Sequence, residues 1–183
     1  MNEYYSIGKE TFQFNSTNVH QLYDDTCAIK SQQLILQSHG IDKSEDELRE
    51  EAIQNGWYSP GNGTPMGDVG NLLEHHGMII HRYKNATLSD LADELSQGHQ
   101  IIVGVDSGEL WNAGISEHFE DLIMGGQADH ALLVSGFVVD PMTAESNILL
   151  TDPGTGEIYA DYPILQFENA WNDSDNFMVV AAS

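Results

Sequence analysis

Residues 129–152 read DHALLVSGFVVDPMTAESNILLTD. Two runs rich in Val, Leu and Ile, Ala131–Val139 and Asn147–Thr151, flank the polar segment Asp140–Ser146, and this pattern specifies an antiparallel hairpin. His130 stands at the entrance of the first strand and Asp152 at the exit of the second. If Val139 faces Glu145 or Asn147, Asp152 falls opposite Leu132 or Val134, and His130 and Asp152 project from one face. A slip of one residue would put them on opposite faces.

The surroundings of this hairpin set the fold class. Ile101–Val105, Glu157–Tyr162 and Phe177–Ala182 are further strand-like runs, and Met78–Tyr83 is an earlier one. Helical patterns dominate the first half. One begins at Cys27, behind the cap-type residues Asp25 and Thr26, and stops at Gly40. A second starts on the capping box Ser44–Glu47 and runs to Gly56. After the turn-rich loop Trp57–Gly63, Thr64-Pro65 opens a third through Val69, Leu72 and Leu73 to Gly77, and Thr87–Gln97 forms a fourth. Two short helices, near Glu117–Met124 and Ile164–Trp171, interrupt the strands. Helices precede strands without βαβ alternation, so the expected class is α+β, with N-terminal helices packed on a largely antiparallel sheet. The 183 residues suit one domain, residues 21–183, with residues 1–20 as an arm or edge strand.

Composition narrows the function. Twenty-nine acidic and six basic residues give a net charge of −23. Six cations cannot neutralise a row of phosphates or an anionic lipid surface, which excludes nucleic-acid and membrane partners. The acidity suits attraction of a basic polypeptide, or solubility alone. No basic-then-apolar N-terminal segment and no stretch of 18 apolar residues occur, so the expectation is a cytoplasmic protein, or one exported without a cleavable signal. The single Cys excludes an internal disulfide, so Cys27 acts as a thiol if it acts at all.

A thiol in the first turn of a helix lies at the positive end of the helix dipole, and a neighbouring cationic His favours the thiolate further. The plain alternative is a buried structural thiol. His130 offers a base and Asp152 an orienting carboxylate, although Asp152-Pro153-Gly154 also reads as an ordinary turn. Gln21, six residues before Cys27, offers an amide donor for an oxyanion, or is a surface residue.

Gln21, Asp25-Thr26-Cys27-Ala28-Ile29, Asp129-His130-Ala131 and Asp152-Pro153-Gly154-Thr155-Gly156, in this order, resemble the papain-like cysteine peptidases of the bacteriocin-leader-processing (double-glycine) type, particularly the stand-alone members without a transporter. The resemblance covers about residues 20–180 and includes GWYSPGNGT, ATLSDLADEL and VGVDSGELW. It implies a papain-like fold, Cys27 as nucleophile, His130 as base and acid, Asp152 as orienter of the imidazole and Gln21 at the oxyanion hole. One departure is Ala28, where the family often has Gly; its methyl group narrows the oxyanion hole or simply fits the helix. The expected substrate is a peptide or protein. Trp57, Gly125, Gly126 and Asp129 are candidate substrate contacts, the glycine pair also suiting a plain turn or a hinge for the segment Ser107–Met124. Two other readings use the same chain: a papain-like glutamine deamidase or acyl transferase, and a catalytically silent protein-binding module. No cofactor is expected. His75, His76 and His81 lack metal-site spacing, and Asn172–Asn176 lacks the Gly and Glu of a calcium loop.

Overall fold

The fold is that of a computed structural model, which describes residues 5–7, 18–111, 128–139, 143 and 145–182, the first three as backbone only. Helix α1 (Cys27–Ser38) begins at Cys27 and is buried around most of its circumference, including Lys30, Ser31, Gln32 and Gln33. Buried polar groups are tolerated where they are partnered. Gln32 Oε1 accepts from Gly70 N at 3.0 Å and Leu72 N at 3.1 Å. Lys30 Nζ lies 3.6 Å from Glu45 Oε2. The Ser44–Glu47 capping box opens α2 (Glu45–Gln54).

The third helix departs from its expected course. A short 3₁₀ turn (Met66–Asp68) is followed by Gly70 at φ 99°, and α3 spans only Asn71–His75. A Cβ at Gly70 would lie 3.0 Å from Val179 Cγ1 and 3.1 Å from Arg82 Nη2, so the chain turns there through a conformation and a space that only glycine fits. Strand β2 (Ile79–Tyr83), helix α4 (Leu88–Ser96) and strand β3 (Gln100–Val105) follow as the patterns predict. A five-residue helix not anticipated from the sequence, α5, spans Ser107–Trp111. The expected helix near Glu117–Met124, Gly125 and Gly126, and most of residues 1–17, lie outside the described residues.

Strands β4 (His130–Val139), β5 (Ser146–Asp152) and β6 (Glu157–Pro163), helix α6 (Ile164–Asn172) and strand β7 (Met178–Ala182) complete the described elements. The sheet runs β2-β7-β3-β4-β5-β6, and β1 (Tyr5–Ile7) pairs with the far end of β4. Each of these pairings is antiparallel. One face packs on α1, α2 and α3 through Ile102, Leu133 and Val179; the other packs on α4 and α6 through Val103, Leu132 and Val180. Helices therefore cover both faces, one more layer than the N-terminal helices expected on the sheet. No helix among the described residues is long and apolar enough to cross a membrane.

The hairpin register corrects the premise of the sequence argument while preserving its outcome. Val139 pairs with Ser146, one residue off either expected partner. A straight ladder from there would bring Asp152 opposite Leu133 and turn it away from His130. Instead a bulge at Ser135 intervenes, so that Gly136 pairs with Leu149 but Val134 pairs with Leu150. One further step sets Asp152 beside Leu132, on the face of His130.

Candidate active site

The three residues singled out for nucleophilic chemistry converge at one end of the sheet. Cys27 opens α1, His130 opens β4 and Asp152 closes β5. His130 Nε2 lies 2.6 Å from Asp152 Oδ1, and the Cys27 side chain is near enough to raise the pKa of the imidazole. With Nε2 committed to the carboxylate, Nδ1 is the ring nitrogen left for sulfur. The Ala131 N–H donates to Cys27 Sγ at 3.4 Å, which fixes the sulfur beside the start of β4.

Asp152 is fully buried, and each of its oxygens has a donor. Oδ1 accepts from His130 and from Gly154 N at 2.7 Å; Oδ2 accepts from Trp111 Nε1 at 2.9 Å. Burial pushes its pKa up, but the His130, Trp111 and Gly154 bonds outweigh that and hold the carboxyl below its ordinary value. His130 responds oppositely: burial pushes it down, while the bonds to Asp152 and Cys27 raise it to about 10. Such a set favours an imidazolium beside the Asp152 carboxylate.

Trp111, which no sequence motif singles out, completes this set. Its indole lies edge-on to the His130 ring, with centroids 5.2 Å apart. Gly154 backs both: a Cβ there would come within 2.9 Å of His130 Cε1 and 3.1 Å of Trp111. The signal present in the sequence, Asp106-Ser107 as a helix start four residues before the Trp, spans too short a helix for periodicity to reveal.

Gln21 is buried, and its backbone N–H donates to Pro153 O at 2.9 Å, tying the segment before Cys27 to the turn after Asp152. Its Nε2 donates to Tyr23 O at 2.7 Å, which leaves one amide hydrogen beside the turn leading into α1. That turn is fixed by Glu45, whose Oε1 accepts from Thr26 Oγ1 at 2.6 Å and Leu22 N at 2.9 Å. Ala28 is buried in the core beneath α1 and lines the cavity beside Cys27.

That cavity holds about 290 Å³. Met66, Val69, Ile102 and Phe177 supply apolar lining, and the loop Gly61–Thr64 supplies one wall. Asp25, missed as an organiser, fixes this wall: its carboxylate accepts from Tyr58 Oη at 2.7 Å and Gly61 N at 2.6 Å. Burial raises its pKa, but those two bonds prevail and lower it. Asp129 also lines the cavity, although both its oxygens are engaged by Ser107, to N and Oγ at 2.9 Å each. Trp57 is not among the lining residues; its ring packs edge-on against His75, 5.7 Å between centroids. His75 and His76 turn to Glu51, at 3.8 and 3.1 Å, and no metal-binding cluster occurs among the described residues.

Solved structures with the same fold are distant in sequence. A putative C39-like peptidase from Bacillus anthracis superposes with a TM-score of 0.65 at 14% identity, covering 98% of each chain. The peptidase domain of Streptococcus ComA, a bifunctional ABC transporter of a quorum-sensing pathway, gives 0.63 at 16% identity over 91% of this chain and 98% of that one. A double-glycine-motif protease from an AMS/PCAT transporter, solved with its leader peptide, gives 0.57 at 12% identity over 90% and 89%. No curated protein sequence matches. The model of the Peptidase_C39 like family matches residues 11–177, nearly the whole chain including Gln21, Cys27, His130 and Asp152. The chain belongs to the Peptidase_C39 like family.

Proposed function

We propose that the protein is a cysteine peptidase that cleaves a peptide bond with Cys27, His130 and Asp152, and that Gln21 serves its oxyanion hole. The observation that carries this reading is His130, held at 2.6 Å by the buried Asp152, with Cys27 beside it at the start of α1 and near enough to raise the imidazole pKa. In the proposed reaction the Cys27 thiolate attacks the scissile carbonyl carbon, and the carbonyl electron pair moves to oxygen. The Cys27 backbone N–H, unpaired within the first turn of α1, and the second Gln21 amide hydrogen stabilise that oxygen, each donor being worth roughly 10²–10³ in rate. His130 Nδ1 gives its proton to the leaving amine as the C–N bond breaks, leaving a thioester on Cys27. A water then loses its proton to His130 and attacks the thioester, and the C–S bond breaks to release the carboxylic acid and restore the Cys27 thiolate beside protonated His130. Asp152 keeps its negative charge and holds the ring throughout.

The substrate in this reading is a peptide, and the ComA domain and the leader-peptide complex are relatives of the same fold whose names carry peptidase activity. The net charge of −23 favours a basic one. The test is cleavage of basic and neutral peptides, followed by mass, with Cys27→Ala as control. Cleavage abolished by Cys27→Ala supports the reading; release of ammonia from glutamine side chains without chain cleavage would favour a deamidase. For a steered basic substrate kcat/KM falls from roughly 10 to 150 mM salt, as the Debye length shrinks from about 30 to 8 Å, while kcat holds level. Equal salt responses of basic and neutral peptides would remove steering.

A further inference from the structure

Trp111 ends α5 with 41% of its surface exposed, yet its indole is held firmly. A five-residue helix is too short to be stable by its own hydrogen bonds, so contacts from outside seat it. Asp129 clamps its start through both carboxylate oxygens, to Ser107 N and Ser107 Oγ. Gln166 Nε2 on α6 donates to Leu110 O at 2.7 Å, and Leu110 is fully buried. Asp129 immediately precedes His130, so one short stretch of chain supplies the imidazole and also seats the helix whose last residue reaches back over it.

We infer that Trp111, seated by the Asp129–Ser107 clamp, is a positioning residue that fixes the Asp152 carboxylate against His130 through its Nε1–H and covers the pair from water. The inference rests on the thiol-peptidase reading and adds to it a part for Asp129 other than substrate contact. Trp111 acts through its bond to Asp152 and its edge contact with the His130 ring. The titratable groups around that carboxylate are His130 on β4, Cys27 on α1, and Glu157 and Tyr162 on β6. Without the indole, Oδ2 loses the donor at 2.9 Å while Oδ1 keeps His130 and Gly154. A half-satisfied buried carboxylate takes up a proton more readily and is freer to rotate.

The test compares Trp111→Phe, Asp129→Asn and the double variant in the full chain. Two profiles against pH are read: turnover of a cleaved peptide, and alkylation of Cys27 by iodoacetamide. Trp111→Phe should lower kcat about tenfold, as expected for one hydrogen bond to a charged group, with little change in KM. It should also move the acid limb of both profiles to higher pH. Asp129→Asn should act in the same direction and less strongly, and the double variant should be no worse than Trp111→Phe, because the clamp works through Trp111. Additive losses, or a lower kcat with an unmoved acid limb, would overturn the inference, since a merely structural role changes the amount of active protein and not its titration. If Asp129→Asn unfolds the chain, Ser107→Ala, which removes one of the two clamp bonds, is read the same way. The alkylation profile needs no peptide. A moved alkylation limb without cleavage of any peptide would sink the peptidase reading and keep the positioning role, whereas an unmoved limb sinks the positioning role alone.

Discussion

Ser135 Oγ and Thr151 Oγ1 lie 2.8 Å apart, both fully buried, where β4 carries one residue more than β5. This extra residue changes the parity of the ladder between Val139 and His130. It is the reason that His130 and Asp152 share a face.

Deleting Ser135 should therefore be far worse than mutating it. Ser135→Ala removes one neutral hydrogen bond and leaves the Thr151 hydroxyl short of a partner, costing about 1–2 kcal/mol in urea unfolding with Cys27 reactivity retained. The deletion shifts the register by one and turns Asp152 from His130. Cys27 reactivity should then fall to the level of an Asp152→Ala variant. A folded deletion variant with wild-type reactivity would show that the bulge does not set the face.

Gly154→Ala places a methyl carbon 2.9 Å from His130 Cε1 and 3.1 Å from the Trp111 ring. Overpacking of this kind costs about 1–3 kcal/mol, and here the displaced groups are the imidazole and its cover. Turnover should drop at least about tenfold with a modest loss of stability. Gly67→Ala, with nothing within 4 Å of the added carbon, serves as the control and should be neutral.

The buried Lys30–Glu45 pair makes a separate prediction. Burial lowers the Lys30 pKa, and Glu45 opposes that shift. Glu45→Gln leaves Lys30 uncompensated and should cost about 3 kcal/mol, roughly 10 °C in Tm. Adding Lys30→Met should recover much of this. Because Glu45 also holds Leu22 N and Thr26 Oγ1, the stabilised double variant should still show reduced turnover if the segment from Gln21 to Cys27 is loosened.

Stability against pH follows from the directions at the site. Asp152 is held below its ordinary 3.8, so its contribution is present above that value and is lost as pH falls through the lower folded one. His130 is raised from 6.5 to about 10, so its contribution is complete below 6.5 and is lost as pH rises toward 10. The Tm difference between wild type and His130→Ala should be largest between about pH 4 and 6.5 and shrink toward pH 10. A difference that grows with pH would mean that His130 is neutral in the folded protein.

Local signals were legible where the chain itself carries the cause. A capping box marks α2, leucines on one face mark α4, apolar runs rich in Val, Leu and Ile mark β3, β4, β5 and β7, and cap-type residues place Cys27 at the start of α1. What could not be read depends on partners remote in sequence. Trp111 meets Asp152 across 41 residues, Asp25 meets Tyr58 across 33, and Gly70 interrupts the third helix because Val179 and Arg82 crowd it. The pairing of His130 with Asp152 followed from parity, but only because an unforeseen bulge cancelled a register at the turn that was one residue off. Trp57, an exposed-looking aromatic in a turn-rich loop, packs on His75 instead of lining the cavity.

The central claim is that Cys27 and His130 form a reactive pair held by Asp152, and the most direct measurement is the rate of iodoacetamide alkylation at this single Cys, followed by intact mass from pH 4 to 9. The account predicts that folded wild type at pH 6 reacts at least about tenfold faster than the same chain unfolded in denaturant, and that His130→Ala abolishes this advantage. A folded Cys27 that reacts no faster than the unfolded thiol, or one whose rate is the same with and without His130, would contradict it.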